Sequence, residues 1–381
     1  MSAFRYFMPT EVMFGRGSIS DLSKRMEGIG SKPLVVTGHR FAASTGLFAR
    51  VESMFPTVVQ FGVSENPDDR ACDEGAALCR KMRCDSVIGL GGGSAMDAAK
   101  AIAGLARHTG PCAHFFGSDR LPNGALPIIA IPTTAGTGSE VTPYSVITNT
   151  IENTKRSISA RCLFPQVAIL DPELTMTLPA SVTAHTGLDA LSQAMEGFVS
   201  RKSTRLGDSQ ALEACQLVLA NLPRACAEPT DIEARTNLMY AAMLSGCVIA
   251  QSGTTLVHGM GYAFTVTSGV PHGLANALLL APIFRFNAQT DPERLTVLAA
   301  AMGIDSDEAA KDLPAAFTRV LHDVIRACGL SPAGKDHGIA QGDLAGFTEQ
   351  IVDDPYRFRN QIGLVSPREV QRFYEEAFEG A

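Results

Sequence analysis

The sequence predicts an α/β N-terminal domain with a parallel sheet, followed by an all-α C-terminal domain. Three observations support this fold class. Up to about residue 180, short β-rich segments take turns with helical ones, which is typical of a parallel sheet covered on both faces. Beyond that point, long segments carry apolar residues at three- and four-residue intervals, the period of a helix. With 381 residues, the chain also exceeds the size at which one hydrophobic core usually stops growing.

The expected elements follow the chain in a simple order. Strands are predicted where β-branched and other apolar residues cluster, at 33–37, 57–61, 86–88, 126–131 and 167–170. The clearest helical repeats cover 208–220 and 234–246. Between the two regions, Leu178-Pro179-Ala180-Ser181 supplies a chain break and a helix start. We therefore expect domains at 1–179 and 180–381, which touch and form a cleft because no linker sequence separates them.

Composition and charge favour a small-molecule partner. The net charge of −7 argues against a general affinity for nucleic acid or for an anionic membrane, since both are polyanions. No run of about 18 apolar residues would span a bilayer, and the N-terminus lacks the pattern of a signal peptide. The nine cysteines form no Cys-x-x-Cys pair, and their odd number cannot pair completely. These features predict reduced thiols and a cytoplasmic protein.

A glycine-rich turn, Gly91-Gly92-Gly93-Ser94, closely follows the third predicted strand. The Ala-rich stretch after it opens with Ser94-x-x-Asp97, a capping-box-like pattern that predicts a helix start. Glycines beside a helix N-terminus let the backbone approach a pyrophosphate, whose charge is stabilised by the free N–H groups. The pattern matches neither of the two commonest nucleotide fingerprints, so a plain strand-to-helix turn is the alternative.

A second loop of hydroxyls and glycines, residues 132–140, directly follows the fourth predicted strand. The hydroxyls of Thr133, Thr134 and Ser139 are able to donate to phosphate or ribose oxygens. Because parallel strands end at the same edge of a sheet, the two loops are expected to form a crevice. We predict that this crevice binds a dinucleotide.

Four stretches of the chain carry a resemblance to a known family: 91–97, 132–140, 187–191 and 270–276. In this order they resemble the iron-containing (group III) alcohol dehydrogenases, whose fold is shared by glycerol dehydrogenase and dehydroquinate synthase. The resemblance covers essentially the whole chain. It implies a divalent metal, Fe²⁺ or Zn²⁺, bound between the domains by one Asp and three His.

Asp189, His258 and His272 fall on three of the family's four metal-ligand positions. The fourth position, four residues after the aspartate on the same helical face, is Gln193 instead of His. A carboxylate and two imidazoles still make an open metal site. Gln193 is expected either to lend its side-chain carbonyl as a weaker ligand or to hydrogen-bond metal-bound water. Weak or exchangeable metal is the expected result.

Two further residues take their expected catalytic roles from the resemblance. Tyr262 stands four residues after His258, where family members often have another His near the substrate. Its phenol is a poor base at neutral pH but is able to relay a proton or orient the substrate hydroxyl. Packing against the cleft wall is the alternative for Tyr262. Lys155 matches a family lysine near the nicotinamide and the substrate.

The cofactor is expected to be NADP or NAD. The first predicted strand is followed by Gly38, at a position where NAD-preferring relatives often carry Asp. A carboxylate there would accept from the ribose 2′-hydroxyl and repel a 2′-phosphate. Glycine removes that repulsion, and the neighbouring His39 and Arg40 are candidates to contact the phosphate, which favours NADP.

The resemblance implies a metal-dependent, NAD(P)-linked alcohol dehydrogenase or aldehyde reductase, which transfers hydride reversibly to or from a small primary alcohol or aldehyde. A homo-oligomer is also expected, because relatives commonly form dimers or larger assemblies. Three alternatives remain open: a metal-independent reductase resembling the maleylacetate reductases, a lyase like dehydroquinate synthase, and a non-catalytic nucleotide-binding protein. The lyase would need a dense basic cluster, for which the C-terminal half offers only Arg201, Lys202 and Arg205.

Overall fold

The computed structural model describes residues 3–39, 46–152 and 154–381. The chain divides into two compact units. One is Phe7–Met176, and the other is Thr177–Ala381 together with the N-terminal residues up to Tyr6. The first unit is α/β with a parallel sheet and the second is helical, so the predicted fold class is confirmed.

The strands of the first unit form two sheets. In chain order they are β1 (Glu11–Phe14), β2 (Pro33–Gly38), β3 (Val59–Val63), β4 (Ser86–Gly91), β5 (Gly117–Ser118), β6 (Ile128–Pro132), β7 (Tyr144–Asn149), β8 (Thr154–Ser159) and β9 (Val167–Leu170). The main sheet has six parallel strands in the order β1-β9-β6-β4-β2-β3. The smaller sheet, β5-β8-β7, contains the antiparallel pair β7 and β8. The strands β2, β4 and β6 therefore end side by side at one edge of the main sheet.

Helices cover the main sheet on both faces. Those of the first unit are α1 (Leu22–Arg25), α2 (Leu47–Glu52), α3 (Asp69–Met82) and α4 (Gly93–Leu105). Along β2, Leu34 and Val36 belong to a core shared with α3 and α4, whereas Val35 belongs to a second core with α1 and α2. Successive side chains of a strand point to opposite faces, so an uninterrupted apolar run buries both.

The structure corrects several details predicted from the sequence. The second strand is Val59–Val63 and not 57–61, and β1 and the whole smaller sheet were missed. The capping-box prediction for Ser94 and Asp97 was wrong. Helix α4 begins one residue earlier, after Gly92, and that end has no side-chain cap. Ser94 Oγ accepts from the backbone N–H of Asn66 instead (3.2 Å), and Asp97 is bonded elsewhere.

The second unit consists of helices. They are α5 (Ala180–Val199), α6 (Arg205–Ala227), α7 (Ile232–Ser252), α8 (Leu256–Ser268), α9 (His272–Thr290), α10 (Pro292–Ala301), α11 (Ser306–Ala327), α12 (Leu344–Val352) and α13 (Pro367–Glu379). The predicted helices 208–220 and 234–246 lie inside α6 and α7. Helix α5 is the most buried of the nine and packs against α6, α7 and α9. Within the described residues, no single helix is both long and apolar enough to cross a bilayer, and α7 and α8 pass that test only as a pair bent by 111°.

Candidate functional site

The glycine-rich turn lies at the carboxyl ends of two neighbouring parallel strands. Gly91 ends β4 with φ of +152°, and a Cβ there would meet Ala95 Cβ at 2.9 Å and Gly38 N at 3.9 Å. Only glycine adopts this backbone without strain while letting the start of α4 approach so closely. Gly38 ends β2 beside Gly91, as expected for two residues that frame a nucleotide-binding edge.

The second loop packs directly against the first. A Cβ on Gly92 would meet Thr134 at 3.4 Å, and one on Gly93 would meet Thr137 at 2.7 Å. Thr134, Gly92, Gly93 and Ser94 are all partly exposed. The structure therefore brings these four predicted residues to one accessible edge with the N-terminus of α4, where free N–H groups are available to an anion.

Three other predicted residues lie beneath this edge. Thr133 is 2% exposed, and its N–H donates to Gly91 O (3.0 Å), so it ties the two loops together. Ser139 is 3% exposed and donates to the carboxylate of Asp97 (2.5 Å). Asp97 also accepts from Val146 N (2.9 Å). These contacts give Thr133, Ser139 and Asp97 a positioning role under the exposed loops.

A buried lysine that the sequence reasoning missed completes this network. The ammonium of Lys100 donates to Ser139 Oγ (2.7 Å), Thr142 Oγ1 (3.1 Å) and Tyr144 O (2.8 Å) and lies 3.8 Å from Asp97. Burial lowers the pKa of Lys100 to about 8 against the opposing pull of Asp97. In the sequence, the only indication of this ion pair is the spacing, since Lys100 lies three residues after Asp97 on the same helical face.

Lys155 lies at the same edge. Its ammonium donates to Asn66 Oδ1 (2.9 Å), and the backbone N–H of Asn66 donates to Ser94 Oγ. Burial lowers the pKa of Lys155 to about 8, with Asp97 acting in the opposite direction. Asn66 was missed, although a polar residue just beyond β3 follows the same pattern as the two glycine loops.

His39 is exposed just beyond the end of β2. Its ring packs over Gly62 of the neighbouring strand, where a Cβ would meet His39 Nδ1 at 2.4 Å. Gly38 and His39 thus lie together where β2 ends, and Arg40 lies outside the described residues.

The three predicted metal ligands come together in the helical unit. Asp189 is on α5, His258 is on α8 and His272 is the first residue of α9. One donor atom from each lies within 4.8 Å of the other two. Asp189 Oδ1 is 3.5 Å from His258 Nε2 and 3.8 Å from His272 Nε2. Donors about 2.0–2.2 Å from one ion are separated by roughly 3–3.5 Å, so the spacing and the donor types fit a dication after small adjustments.

A glycine makes the approach of these helices possible. A Cβ on Gly273, next to His272, would meet His185 O at 1.8 Å and Asp189 Cβ at 2.9 Å. Any larger residue would push the start of α9 away from α5 and separate His272 from Asp189. The His272-Gly273 pair is therefore a local requirement of the site.

Glu196 holds His258 from behind and was missed by the sequence reasoning. Its fully buried carboxylate bonds His258 Nδ1, and it accepts from Thr255 N and Oγ1, both at 2.8 Å. Burial alone would lower the pKa of His258, but the charges of Glu196 and Asp189 raise it to about 10. A carboxylate on the outer nitrogen of an imidazole is the usual support of a metal-binding histidine. The one indication of Glu196 in the sequence is its spacing, since it lies seven residues after Asp189 and therefore on the same helical face.

Gln193 faces the carboxylate of Asp189. Its side-chain amide donates to Asp189 Oδ2 (3.2 Å), and its carbonyl oxygen accepts from Ser245 Oγ (3.2 Å). In this orientation the amide acts as a hydrogen-bond donor to a ligand, and its oxygen faces Ser245. Ser245 also donates its hydroxyl proton to Ala242 O (2.9 Å). Its oxygen is therefore equally able to accept a hydrogen bond from the Gln193 amide nitrogen if that amide is rotated. That rotation would turn the carbonyl oxygen toward Asp189.

Tyr262 and Asn276 complete the surroundings of His272. The rings of Tyr262 and His272 are stacked, with centroids 5.1 Å apart and planes 11° apart. Asn276, another residue that was missed, lies one turn after His272 and donates to Asp189 Oδ1 (3.1 Å), with its amide nitrogen 3.2 Å from His272 Nε2. Tyr262 as a whole is partly exposed.

Comparisons with known proteins agree with both halves of this description. Residues 9–172 match the family model of the iron-containing alcohol dehydrogenases, and residues 183–378 match the model of the C-terminal region of the same family. The chain belongs to the iron-containing alcohol dehydrogenase family. It is therefore an oxidoreductase that acts on CH–OH groups with a nicotinamide cofactor.

Relatives of this family member align over nearly the whole chain. It is 33% identical to the 1,3-propanediol dehydrogenase of Klebsiella pneumoniae (98% of this chain, 99% of the relative). It is 31% identical to the sulfoacetaldehyde reductase of Bilophila wadsworthia (99% and 100%). Among solved structures, a 1,3-propanediol oxidoreductase superimposes with a TM-score of 0.92 (31% identity; 99% of this chain, 100% of that chain). The sulfoacetaldehyde reductase of Bifidobacterium kashiwanohense in complex with NAD⁺ gives 0.90 (33% identity; 99% of each chain).

Proposed function

We propose that this family member transfers hydride reversibly between a small primary alcohol, or its aldehyde, and NAD(P), at a divalent metal held by Asp189, His258 and His272. The observation that carries the proposal is the convergence of the three donor atoms within 4.8 Å. A carboxylate with two imidazoles suits Fe²⁺ or Zn²⁺ and leaves positions for a substrate.

When bound, the metal would act as a Lewis acid on the substrate oxygen. The protein's part is to present the donors in the correct state. Because Glu196 binds Nδ1 of His258, the proton of a neutral ring stays on that nitrogen and the Nε2 lone pair is directed toward Asp189. Asn276 and Gln193 bond one carboxylate oxygen of Asp189 each, which limits its rotation.

Tyr262 is the proposed proton-handling residue. Its ring is held parallel to that of His272, so the phenol is oriented by a ligand and not free to swing away. A phenol with its ordinary pKa near 10 relays or orients a proton at neutral pH more readily than it removes one. We assign Tyr262 the role of orienting the substrate hydroxyl and passing its proton onward.

The dinucleotide would bind at the edge formed by Gly38, Gly91 to Ser94 and Thr134. The backbone N–H groups of the glycine-rich turn would hold its phosphates. Lys155, held by Asn66, would supply a positive charge near the nicotinamide and substrate. Gly38 leaves room for a 2′-phosphate without repelling it, and this supports NADP as well as NAD.

A metal-independent reductase is the second candidate, and Gln193 in place of a histidine favours it. Metal analysis of the purified wild type and His258→Ala variant distinguishes the metal-dependent from the metal-independent reductase. The control is His114→Ala, because His114 is exposed and far from the ligands in sequence. We expect His258→Ala to lose bound metal and turnover of short aldehydes with NADH or NADPH, whereas His114→Ala keeps both. Wild-type turnover that survives complete chelation, with His258→Ala equally active, would favour the metal-independent reductase instead.

Location and assembly are also part of the proposal. All nine cysteines are free thiols in the structure, which is usual for proteins of a reducing compartment, and we propose a cytoplasmic location. A homo-oligomer follows from the family resemblance. Light scattering coupled to gel filtration measures it directly.

A further inference from the structure

We propose that Arg357 selects aldehydes and alcohols that carry an anionic group, such as a carboxylate, at the end remote from the reacting oxygen. The inference rests on the proposed function, because it names the substrate class of the same site. Arg357 lies in the short 3-10 helix Pro355–Phe358, which packs against α8. Helix α8 carries the proposed metal ligand His258 and the proposed proton-handling residue Tyr262. The turn therefore brings a positive charge to the helix that supplies both residues.

The guanidinium of Arg357 is bonded to α8 at the residue that follows His258. Its Nη1 donates to Gly259 O (2.7 Å). A Cβ on Gly259 would meet Cβ, Cδ and Cγ of Arg357 at 3.5, 3.7 and 3.8 Å, so the aliphatic part of the arginine lies over this glycine. Consecutive Cα atoms are about 3.8 Å apart, which places the contact close to the proposed metal ligand.

Arg357 meets α8 on the face of that helix that is accessible. Gly259, Tyr262 and Val266 are at least partly exposed and follow one another at three- and four-residue intervals, so they share one face. Met260, on the opposite face, is buried. The Arg357 side chain itself is 26% exposed. Its charge therefore lies on the same face as the residue proposed to orient the substrate hydroxyl, and it is open to a ligand.

The guanidinium of Arg357 has unused hydrogen-bond donors. Its Nε is buried and makes no hydrogen bond within the described part of the chain, although Asp354 Oδ2 lies 3.3 Å away. The other oxygen of Asp354 accepts from Tyr356 N (3.2 Å) and caps the turn. Asp354 thus compensates part of the charge but leaves the donors unused, and α8 contains no acidic residue. A planar fork of N–H groups in this state is suited to bind the two oxygens of a carboxylate.

A substrate with an anionic tail would use these donors while its reacting oxygen lies at the metal ligands. A neutral alkyl chain of the same length would leave the donors unpaired and displace water from them, which is costly. Selection would therefore depend on the charge of the tail. A purely structural brace of α8 by Arg357 is the alternative, and it predicts equal effects on charged and neutral substrates.

The test compares aldehydes that differ only at the end remote from the carbonyl. 4-Oxobutanoate and butanal differ by a carboxylate in place of a methyl group, and so do 5-oxopentanoate and pentanal. Zinc-loaded full-length protein is assayed with NADPH and with NADH. We expect kcat/KM for the anionic aldehyde of at least one pair to exceed that for its neutral partner by about 10-fold or more, as for a hydrogen bond between charged groups.

Variants of two neighbouring arginines separate recognition from a general effect of charge. Arg357→Gln should abolish the preference, mainly through a higher KM for the anionic aldehydes, and should change turnover of the neutral ones little. Arg357→Lys keeps the charge without the planar fork and should keep part of the preference. The control is Arg359→Gln. Arg359 is exposed, and its guanidinium lies 3.5 Å from the centre of the Tyr356 ring and bonds Tyr356 O (2.8 Å), so this variant should keep the full preference.

Two results would overturn the proposal. One is a wild-type kcat/KM that is no higher for either anionic aldehyde than for its neutral partner, a measurement that needs no variant. The other is an equal loss for anionic and neutral aldehydes in an Arg357→Gln protein with unchanged circular dichroism, which would leave Arg357 only a brace of α8. Reduction of none of the four aldehydes would instead contradict the proposed function. Calorimetric titration of the wild type would then decide the role of Arg357, because equal binding of 4-oxobutanoate and butanal would overturn it.

Discussion

Glu196 bonds His258 through the ring nitrogen opposite the one that faces Asp189. The two carboxylates therefore hold one imidazole from both sides. Both lie on the same face of α5, where Glu196 is fully buried and Asp189 is 3% exposed. An uncompensated pair of buried acids is costly, and a cation between them offsets that cost. The same negative charge that raises the pKa of His258 makes the site attractive to a dication.

The first prediction concerns this support. Glu196→Gln keeps the size of the side chain but removes the charge that orients His258, and we expect metal affinity to fall by roughly 10- to 100-fold. Competition with a chromogenic chelator measures it. Glu349→Gln, at an exposed position of α12, is the control and should leave affinity unchanged. Partial recovery of metal affinity in Glu196→Asp would show that the carboxylate orients His258 and that the loss in Glu196→Gln is not a general loss of stability. Unchanged metal affinity in Glu196→Gln would contradict the supporting role of Glu196.

The second prediction concerns Gln193. Gln193→His would place an imidazole one turn after Asp189, where an amide now bonds the carboxylate. An imidazole nitrogen is a better donor to Fe²⁺ or Zn²⁺ than an amide oxygen, so we expect metal affinity to rise by roughly 10-fold or more. Isothermal titration of apo-protein with Zn²⁺ gives the answer. The side chain of Gln193→Leu can neither bind a metal nor form a hydrogen bond, so we expect this variant to have a lower metal affinity than the wild type. Equal affinity in the wild type, Gln193→His and Gln193→Leu would rule out any contribution from this position.

Much of the fold was predictable because its main strands are continuous apolar runs. Strands such as β2 and β9 bury both faces, and no other element suits a short run of this kind between helical segments. The hairpin β7–β8 was not predictable in the same way. Its second strand contains Lys155 and Arg156 and only one fully buried residue, Ile158, so its sequence does not differ from that of a surface loop. It forms because it pairs with β7.

The candidate site was predictable where ligand chemistry requires particular residue types. Asp189, His258 and His272 could be named because carboxylates and imidazoles are metal donors and the family resemblance locates them. Glu196 and Asn276 act only through those ligands. Their partners are known only once α5, α8 and α9 are packed together, so helical spacing from Asp189 and His272 was the sole local sign.

A third prediction tests cofactor choice at the end of β2. Gly38→Asp introduces a carboxylate beside the proposed ribose position, where it would accept from a 2′-hydroxyl and repel a 2′-phosphate. We expect the ratio of kcat/KM for NADPH to that for NADH to fall by about 10-fold, which corresponds to about 1.4 kcal/mol. Gly38→Asn has nearly the same size without the charge and should change the ratio much less. Equal ratios in both variants would mean that charge at this position does not select the cofactor.

The last prediction concerns the pH dependence of stability in the first unit. Burial raises the pKa of Glu140, which is 2% exposed, from 4.5 to about 7, with its own backbone N–H and Lys100 opposing the shift. The folded state therefore holds a proton that the unfolded chain releases. The contribution is fully present below about pH 4.5 and is lost as pH rises through 7, by up to about 3 kcal/mol.

Glu140→Gln cannot release this proton, so we expect its stability relative to the wild type to increase between pH 5 and pH 7.5. Urea denaturation followed by the fluorescence of tyrosine, or by circular dichroism, measures the difference at each pH. Glu74→Gln, at an exposed position of α3 in the same unit, should run parallel to the wild type. Parallel curves for Glu140→Gln would show that Glu140 titrates alike in the folded and unfolded chain. Because Lys100 lies in the same buried network and loses its own proton near pH 8, the comparison has to end below that pH.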